Sequence, residues 1–515
     1  MQGIRNLVKN KAFCSVFAAL CLALPFFVPS LFVTSFLGAA LLFGTVLSLD
    51  LKTELRRYFR LGFGFAFVYH LLVYHWLLFL HPLVVAGIDG ILSLLIVVAA
   101  WAAASALHAL FFALGFLLFG LLRRVSARRG VHALLLLACL LAASSLTEFG
   151  TLAFPWARFA LPLAEVPSLA ASAALFGEIG VDAWLLALGA LLSFAVTVPS
   201  RRTLSASLAA LLVLANFLFG VCYRTGEDEA TLRVCTVQTN YGFREKWETD
   251  PGKIRAELLS VASSVKDEGI DLIVFPESVL AVHVRRGDAN EAFFAELSEE
   301  CDALVAAGCL YVEDAKTYNA VCLFDSTGLI GYNAKRHLVP FGEYLPWQDV
   351  LKIVLPSVGN MDFFATSLTV GDGGIAAEAM GVTFGGLVCF DTLFSSLAVD
   401  SARQGAQILL APTNDAWFKD SVASRQHLWH GTFRAIESGR SLVQSANTGI
   451  SAIVDYTGEN LADVAPLTEG IAVSDVPLSA VQTPFAAAGP LVQYAAWATV
   501  AAALLLVLLK RRAVT

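Results

Sequence analysis

The chain has 515 residues, of which 57% are hydrophobic and only 15% charged, and its formal net charge is −7. It is too long for one ordinary domain and too apolar for a protein held wholly in water. An acidic balance with no long basic tract excludes a nucleic-acid-binding surface.

Taken from the N-terminus, apolar segments long enough for a hydrocarbon core of about 30 Å lie at about 12–29, 31–49, 61–80, 90–122, 132–150, 178–198 and 204–222, with one more at about 489–509. Eight spans are therefore expected, the fourth long enough to tilt, to kink near Gly115 or to continue past the bilayer. Cations gather at every second connection, where Lys11, then Arg56 and Arg57, then Arg123 and Arg124, then Arg201 and Arg202, then Lys510 and Arg511 fall. Short cytoplasmic loops accumulate such residues, so both termini are expected in the cytoplasm and the stretch 223–488 on the opposite side. The N-terminal span is expected to remain uncleaved, because no small-residue cleavage pattern is clear and the next span follows at once. Glu148, near the outer end of span five, either serves a function at that depth or reaches interfacial water. Tyr69, His70, Tyr74, His75 and Trp76 read as an aromatic belt at the outer end of span three, or as the lining of a lipid entry path.

The pattern changes from Thr231. Apolar runs shorten to strand length at Leu232–Gln238, Asp271–Phe275, 303–311, 319–324, 382–389, 407–411, 441–446 and 450–454, and helical periodicity appears over 251–268, 289–306 and 424–439. Alternating strands and helices imply an α/β domain with helices on the outer faces of its sheets. The organisation expected is thus an α-helical membrane bundle over 1–222, an extracytoplasmic domain over 223–488 and a last membrane helix with a basic tail over 489–515. No G-x-G-x-x-G, P-loop or G-x-S-x-G is present, which removes dinucleotide, nucleotide and serine-hydrolase readings. The nine cysteines form no C-x-x-C pair and no Cys/His cluster at zinc spacing, so neither a disulfide framework, a metal nor a cofactor is expected. His427 and His430, at i, i+3, lack the glutamate and third ligand of a metalloprotease helix and read as polar groups on a helix surface or facing substrate.

Three strand ends carry chemistry. Cys389 stands where the apolar run around Gly386-Leu-Val-Cys-Phe-Asp391 breaks, and a thiol there is either an inert core residue or a nucleophile with partners. Glu277 closes Asp271-Leu-Ile-Val-Phe-Pro-Glu277, beside the core, where desolvation raises its pKa and suits it to accept a proton; capping the next helix is the competing role. Lys335 precedes the apolar Leu338-Val-Pro-Phe-Gly, and its ammonium is expected to depress the thiol pKa and to offset charge on a tetrahedral oxygen. The segment 345–364 is too apolar for ordinary solvent. With Trp347, Phe363 and Phe364, and with Trp417 and Phe418 beyond it, it reads as a lid at the membrane surface over an acyl pocket, or in the case of Trp417 as domain core.

The order Glu277, Lys335, Cys389, with Phe-Pro-Glu and Val-Cys at the strand ends, resembles the nitrilase superfamily, which implies an αββα sandwich. Lys335-Arg-His-Leu-Val-Pro-Phe-Gly-Glu343, Asn414-Asp-Ala-Trp-Phe418, Arg434-Ala-Ile-Glu-Ser-Gly-Arg440, Asn447-Thr-Gly-Ile-Ser451 and Lys246-Trp247 resemble its membrane-embedded branch, the apolipoprotein N-acyltransferases. That resemblance implies Cys389 as nucleophile, Glu277 as general base, Lys335 as partner of the thiolate and oxyanion, Glu343 as a supporting carboxylate, and a supporting place for Trp247. The family's usual Tyr-Glu after the cysteine is Phe390-Asp391 here, and its usual Trp before the base is Phe275. The chemistry implied is a ping-pong transfer. An acyl chain leaves the sn-1 position of a phospholipid, typically phosphatidylethanolamine, for the cysteine and then passes to the α-amino group of a diacylglyceryl lipoprotein in a bacterial inner membrane. A membrane-tethered amidase, in which water resolves the thioester, and a non-catalytic lipoprotein-binding protein are the rivals.

Overall fold

A computed structural model describes residues 10–83, 88–223, 230–354 and 368–512. The chain forms two units, one made of residues up to 78, 91–222 and 488 onward, the other of 79–90 and 223–487.

The first unit is built from α1 (Lys11–Ala23), α2 (Val33–Leu47), α3 (Leu55–Val73), α4 (Gly90–Leu122), α5 (Arg129–Ser145), α6 (Glu178–Thr197) and α7 (Arg202–Cys222), with a C-terminal helix over Leu491–Arg512. Among the described residues five helical stretches are long and apolar enough to cross a membrane: Gly90–Val125, Arg129–Glu148, Glu178–Thr197, Pro199–Cys222 and Leu491–Lys510. The three earliest expected spans differ. Helix α1 gives way at Leu24 to a 3-10 turn containing Pro25, α2 has 15 residues against the roughly 20 a crossing takes, and α3 carries Arg56, Arg57 and Arg60 in its first two turns. Helix α4 runs through Gly115 as one element. The glycine lets it approach α5 closely, since a Cβ there would stand 2.9 Å from the Cys139 carbonyl oxygen.

One expectation for this unit is corrected. Tyr69, His70, Tyr74 and Trp76 are buried inside it rather than placed as a belt, and the Tyr74 hydroxyl meets His108 Nδ1 at 2.6 Å. Burying a polar aromatic requires a partner within the bundle, and α4 supplies it. Glu148 is paired with Arg158, whose guanidinium also donates to Ser144 Oγ at 2.7 Å.

Among its described residues the second unit has thirteen strands: β1 (Thr231–Gln238), β2 (Leu272–Phe275), β3 (His283–Val284), β4 (Leu304–Glu313), β5 (Lys316–Asp325), β6 (Gly328–Ala334), β7 (Gly374–Ala379), β8 (Val382–Gly386), β9 (Ile408–Thr413), β10 (Ser441–Ala446), β11 (Ser451–Val454), β12 (Asn460–Val464) and β13 (Gly470–Pro477). One sheet runs β13-β1-β2-β4-β5-β6, with β3 beside β4, and the other runs β12-β11-β10-β9-β8-β7. Val234, Leu272, Val274, Leu323, Phe384, Leu410 and Val443 fill the space between the sheets. Helices α8 (Pro251–Ser264) and α9 (Ala289–Cys301) cover the outside of the first sheet through Ile254, Leu258, Phe294 and Leu297. Helices α10 (Ser395–Arg403) and α11 (Ala423–Ser438) pack with the second, giving four layers, α-β-β-α.

The interior strands follow the expected apolar runs closely. The expected helix 289–306 stops at Cys301, because Asp302 takes a left-handed φ of +51° and the chain enters β4 two residues later. The two-residue β3 and strands β6, β7, β12 and β13 go unforeseen, and the last four are the ends of the two strand orders. An edge strand buries less apolar surface and holds its conformation through a long-range ladder, such as β13 on β1 from Thr231↔Pro477 to Gln238↔Gly470.

Candidate active site

Strands β1, β2 and β4 run parallel, and β8, β9 and β10 run parallel in the other sheet, so their carboxyl ends open on common edges. Glu277 follows β2 across Pro276. Its turn lies on β4, where Gly308 N donates to the Pro276 carbonyl at 3.2 Å and the Gly308 carbonyl accepts from Val279 N at 3.0 Å. A Cβ at Gly308 would stand 2.4 Å from Glu277 Cα, so only glycine lets the turn lie so near the strand. Lys335 is the first residue after β6, and its amide donates to the Asn319 carbonyl at 2.8 Å. Cys389 comes three residues after β8 at a φ of +50°, a left-handed position costly for a non-glycine residue and typical of a side chain aimed by its turn.

These three ends converge. Lys335 Nζ is 3.3 Å from Glu277 Oε1 and 2.9 Å from Glu343 Oε1, and the lysine is only 1% exposed. The Asn319 amide donates to the same two oxygens at 2.6 and 2.8 Å. The Cys389 thiol hydrogen-bonds the Glu277 carboxylate, and the Asn414 backbone amide reaches the sulfur, which is half-buried. Glu343 is fixed in turn by Val339 N, which donates to its Oε2 at 2.7 Å.

The electrostatics correct two expectations. Burial does push the Glu277 pKa up, but Lys335, the Asn319 amide and Lys246 together outweigh it and hold the carboxylate below its ordinary value. For Cys389, burial comes first and the Glu277 charge adds to it, so the thiol lies well above its ordinary pKa despite Lys335. The resting pair is therefore a protonated thiol on an ionised carboxylate. It can form a thiolate only by handing its proton to Glu277 as reaction proceeds. Lys335 is raised, burial opposing the charge but Glu277 and Glu343 prevailing.

Phe390 is buried, with its ring edge-on to Phe394 at 5.5 Å. Asp391, also buried, accepts from His337 N at 2.8 Å and Arg336 N at 3.2 Å, fastening the segment after Lys335 to the cysteine turn. Burial raises its pKa to about 7, against the lowering by those amides. Because the folded pKa exceeds the unfolded one, this group's contribution to stability declines as pH rises from about 4 to 7. Asp391→Asn is expected to abolish that pH slope and, by setting an amide N–H against a backbone N–H, to lower turnover about tenfold. Melting curves across pH, alongside rates, read both effects.

Of the remaining expected residues, Trp247 is 48% exposed while its neighbour Lys246 is buried, donating from Nζ to the Glu277 carbonyl at 2.6 Å. Burial lowers the Lys246 pKa to about 8, with Glu277 and Cys389 opposing. Trp417 is half-buried against the Phe243 ring at 4.2 Å, and Phe418 is buried with its ring 6.0 Å from His427. Trp347 is 55% exposed at a φ of +52°, next to a short helix over Gln348–Val354 that leaves Val350 and Ile353 exposed. Phe363 and Phe364 lie outside the described residues.

Sequence reasoning misses Asn319 and the parts played by Lys246 and His427. That imidazole is buried, not on a surface. Its Nδ1 meets Asp415 Oδ1 at 2.8 Å and its Nε2 meets the Cys389 carbonyl at 3.1 Å, while Thr392 Oγ1 donates to the same carbonyl at 2.8 Å. Burial disfavours charge on the ring, but Asp415 and the carbonyl prevail and raise its pKa. The pair thus braces the strained cysteine turn from α11. The spacing Asn414-Asp415 to His427 is visible in the chain, but nothing local says the two meet. His427→Ala is expected to leave a buried aspartate unpaired and to cost about 3–5 kcal/mol of stability, read by thermal unfolding.

Each of the two units matches a known family. Residues 233–483 match the family described as carbon-nitrogen hydrolase, and residues 18–192 match the apolipoprotein N-acyltransferase N-terminal domain. The chain is 30% identical over 353 residues to the apolipoprotein N-acyltransferase of Methylococcus capsulatus, covering 67% of this chain and 66% of that protein. It is 30% identical over 340 residues to that of Agrobacterium fabrum, covering 62% of each. The chain thus spans a little under two thirds of the length of these curated relatives. Among solved structures it is similar to Saccharomyces cerevisiae Nit3, a member of branch 10 of the nitrilase superfamily. That match has 19% identity and a TM-score of 0.38, and covers 51% of this chain and 95% of the other.

Proposed function

Because the chain belongs to the apolipoprotein N-acyltransferase family, we propose that it moves an acyl chain from the sn-1 ester of a phospholipid, through a thioester on Cys389, to the α-amino group of a diacylglyceryl cysteine at a lipoprotein N-terminus. The observation that carries this reading is the thiol of Cys389 on the carboxylate of Glu277, with Lys335 bridging Glu277 and Glu343.

In the first half-reaction Glu277 takes the thiol proton as sulfur attacks the ester carbonyl carbon. The new oxyanion is offset by the Lys335 ammonium, which Glu277 and Glu343 keep charged against burial and which burial leaves poorly screened. Collapse breaks the ester C–O bond, and the departing glycerol oxygen takes the proton back from Glu277, releasing lysophospholipid. In the second half, the lipoprotein amine attacks the thioester carbonyl and gives a proton to Glu277; the C–S bond breaks, and the departing sulfur takes that proton back from Glu277, restoring the thiol. An amine attacks a thioester more readily than the parent oxygen ester, which makes the sulfur a useful way-station.

Lipid substrates also fit the exposed apolar side chains Phe341, Trp347, Val350 and Ile353, which follow Lys335 in the chain. They support a lid at the lipid surface. Phosphatidylethanolamine is the proposed donor, and the extracytoplasmic face of a bacterial inner membrane the proposed setting of the domain. The test is incubation with labelled phosphatidylethanolamine and a diacylated lipopeptide. N-acylated peptide and lysophospholipid are expected in equal amounts; free fatty acid without N-acylated peptide would show a hydrolase instead.

A further inference from the structure

The first unit holds a cleft of about 720 Å³ far in the chain from Glu277, Lys335 and Cys389, lined by the start of α1, the α2–α3 connection and the start of α3. Four cations face it: Lys11, Lys52, Arg57 and Arg60. Its one lining acid, Glu54, is paired with Arg56, which does not line the cleft. Among the described residues none of the four cations has an ion pair, and like charges brought together this way repel unless an anion joins them. The first amides of α1 do not supply the attraction. Asn10 Oδ1 already accepts from Ala12 N and Phe13 N.

Apolar strips lead away from the cations. Arg60, Phe63 and Phe67 share one face of α3 by their spacing, and the Phe63 and Phe67 rings stack at 5.5 Å. On α1, Phe13 and Phe17 stack at 6.2 Å, both of them exposed. Anion-binding head and apolar trail together have the form of a phospholipid, and basic pockets between membrane helices suit anionic headgroups. The cleft volume lies within the range of small-molecule sites.

We propose that this cleft binds a phosphate group, that of an anionic glycerophospholipid whose acyl chains lie along the α1 and α3 aromatic strips. The site is separate from the acyl-transfer reading and stands without it. The test uses the full chain, delipidated in detergent and offered equal amounts of phosphatidylglycerol and phosphatidylcholine, with retained lipid counted by native mass spectrometry. The intact chain is expected to retain phosphatidylglycerol about tenfold over phosphatidylcholine, as two or more charge-assisted contacts require. Arg57→Gln/Arg60→Gln and, separately, Lys11→Gln/Lys52→Gln are expected to lose that preference. Arg128→Gln/Arg129→Gln, at another basic connection, is expected to keep it. Equal retention of the two lipids by the intact chain, or equal loss in all three double variants, would overturn the proposal. A further arm adds inorganic phosphate. Displacement of the lipid by millimolar phosphate would assign the cleft to free phosphate, and resistance to it would assign the cleft to the lipid.

Discussion

Cys389→Ser is expected to lower acyl transfer by about a thousandfold or more while leaving the melting temperature nearly unchanged. The half-buried thiol and a hydroxyl differ little in volume, and the turn that holds residue 389 is fastened through its backbone carbonyl by His427 and Thr392, contacts that the substitution leaves in place. What changes is proton transfer. Glu277 is held below the ordinary carboxylate range and is already a weak base for a thiol; a hydroxyl, far less acidic, puts the transfer out of its reach. In the intact chain, exposure to phospholipid alone should add one acyl mass to the peptide carrying residue 389, and the serine variant should show none. Near-normal turnover in that variant, or acyl mass on another residue, would remove Cys389 from the reaction.

Lys335→Met is the second large effect. The methionine fills similar volume but leaves Glu277 and Glu343 facing the same Asn319 amide with no cation between them, a loss of about 3–5 kcal/mol for a buried pair stripped of its partner. Turnover should fall by about 100- to 1000-fold from loss of oxyanion stabilisation. The pH profile separates these effects. With Lys335 present, the folded pKa of Glu277 is depressed, so its contribution to stability and its capacity as a base are present above the unfolded value of about 4.3 and are lost as pH falls through the folded one. Removing Lys335 takes away the largest opposing cause and leaves burial to act, so the acid limb of residual activity should move to higher pH. An acid limb that stays in place would mean that Lys335 does not set the Glu277 charge. The Lys335 contribution itself, with a raised folded pKa, is complete below about pH 10.4 and is lost only as pH climbs through the folded value.

Much of the architecture is legible in the chain. The interior strands are continuous apolar runs such as Leu272–Phe275 and Ile408–Thr413, buried on both faces, and their composition alone marks them. The edge strands are another matter. Gly328–Ala334 and Asn460–Val464 contain glycine, asparagine and aspartate, and only their ladders make them strands. Among the site residues, Glu277, Lys335 and Cys389 stand at breaks in strong patterns, but Asn319 lies inside β5 and looks like any polar residue of a strand. The aromatic cluster at the end of α3 is misread as a surface belt for the same reason. Whether a tyrosine faces lipid or a neighbouring helix depends on the helix it meets, here α4 through His108.

By itself, then, the order of residues determined that this protein has a greasy helical part and an α/β part, and which acid, base and thiol to watch, because burial on both faces and chemical type are local properties written residue by residue. Charge state was decided elsewhere. That Glu277 is held ionised follows from Lys335, Asn319 and Lys246 arriving from separate segments, and that Cys389 stays protonated follows from its burial beside the Glu277 charge; Coulomb and desolvation energies depend on distances that only the folded chain sets.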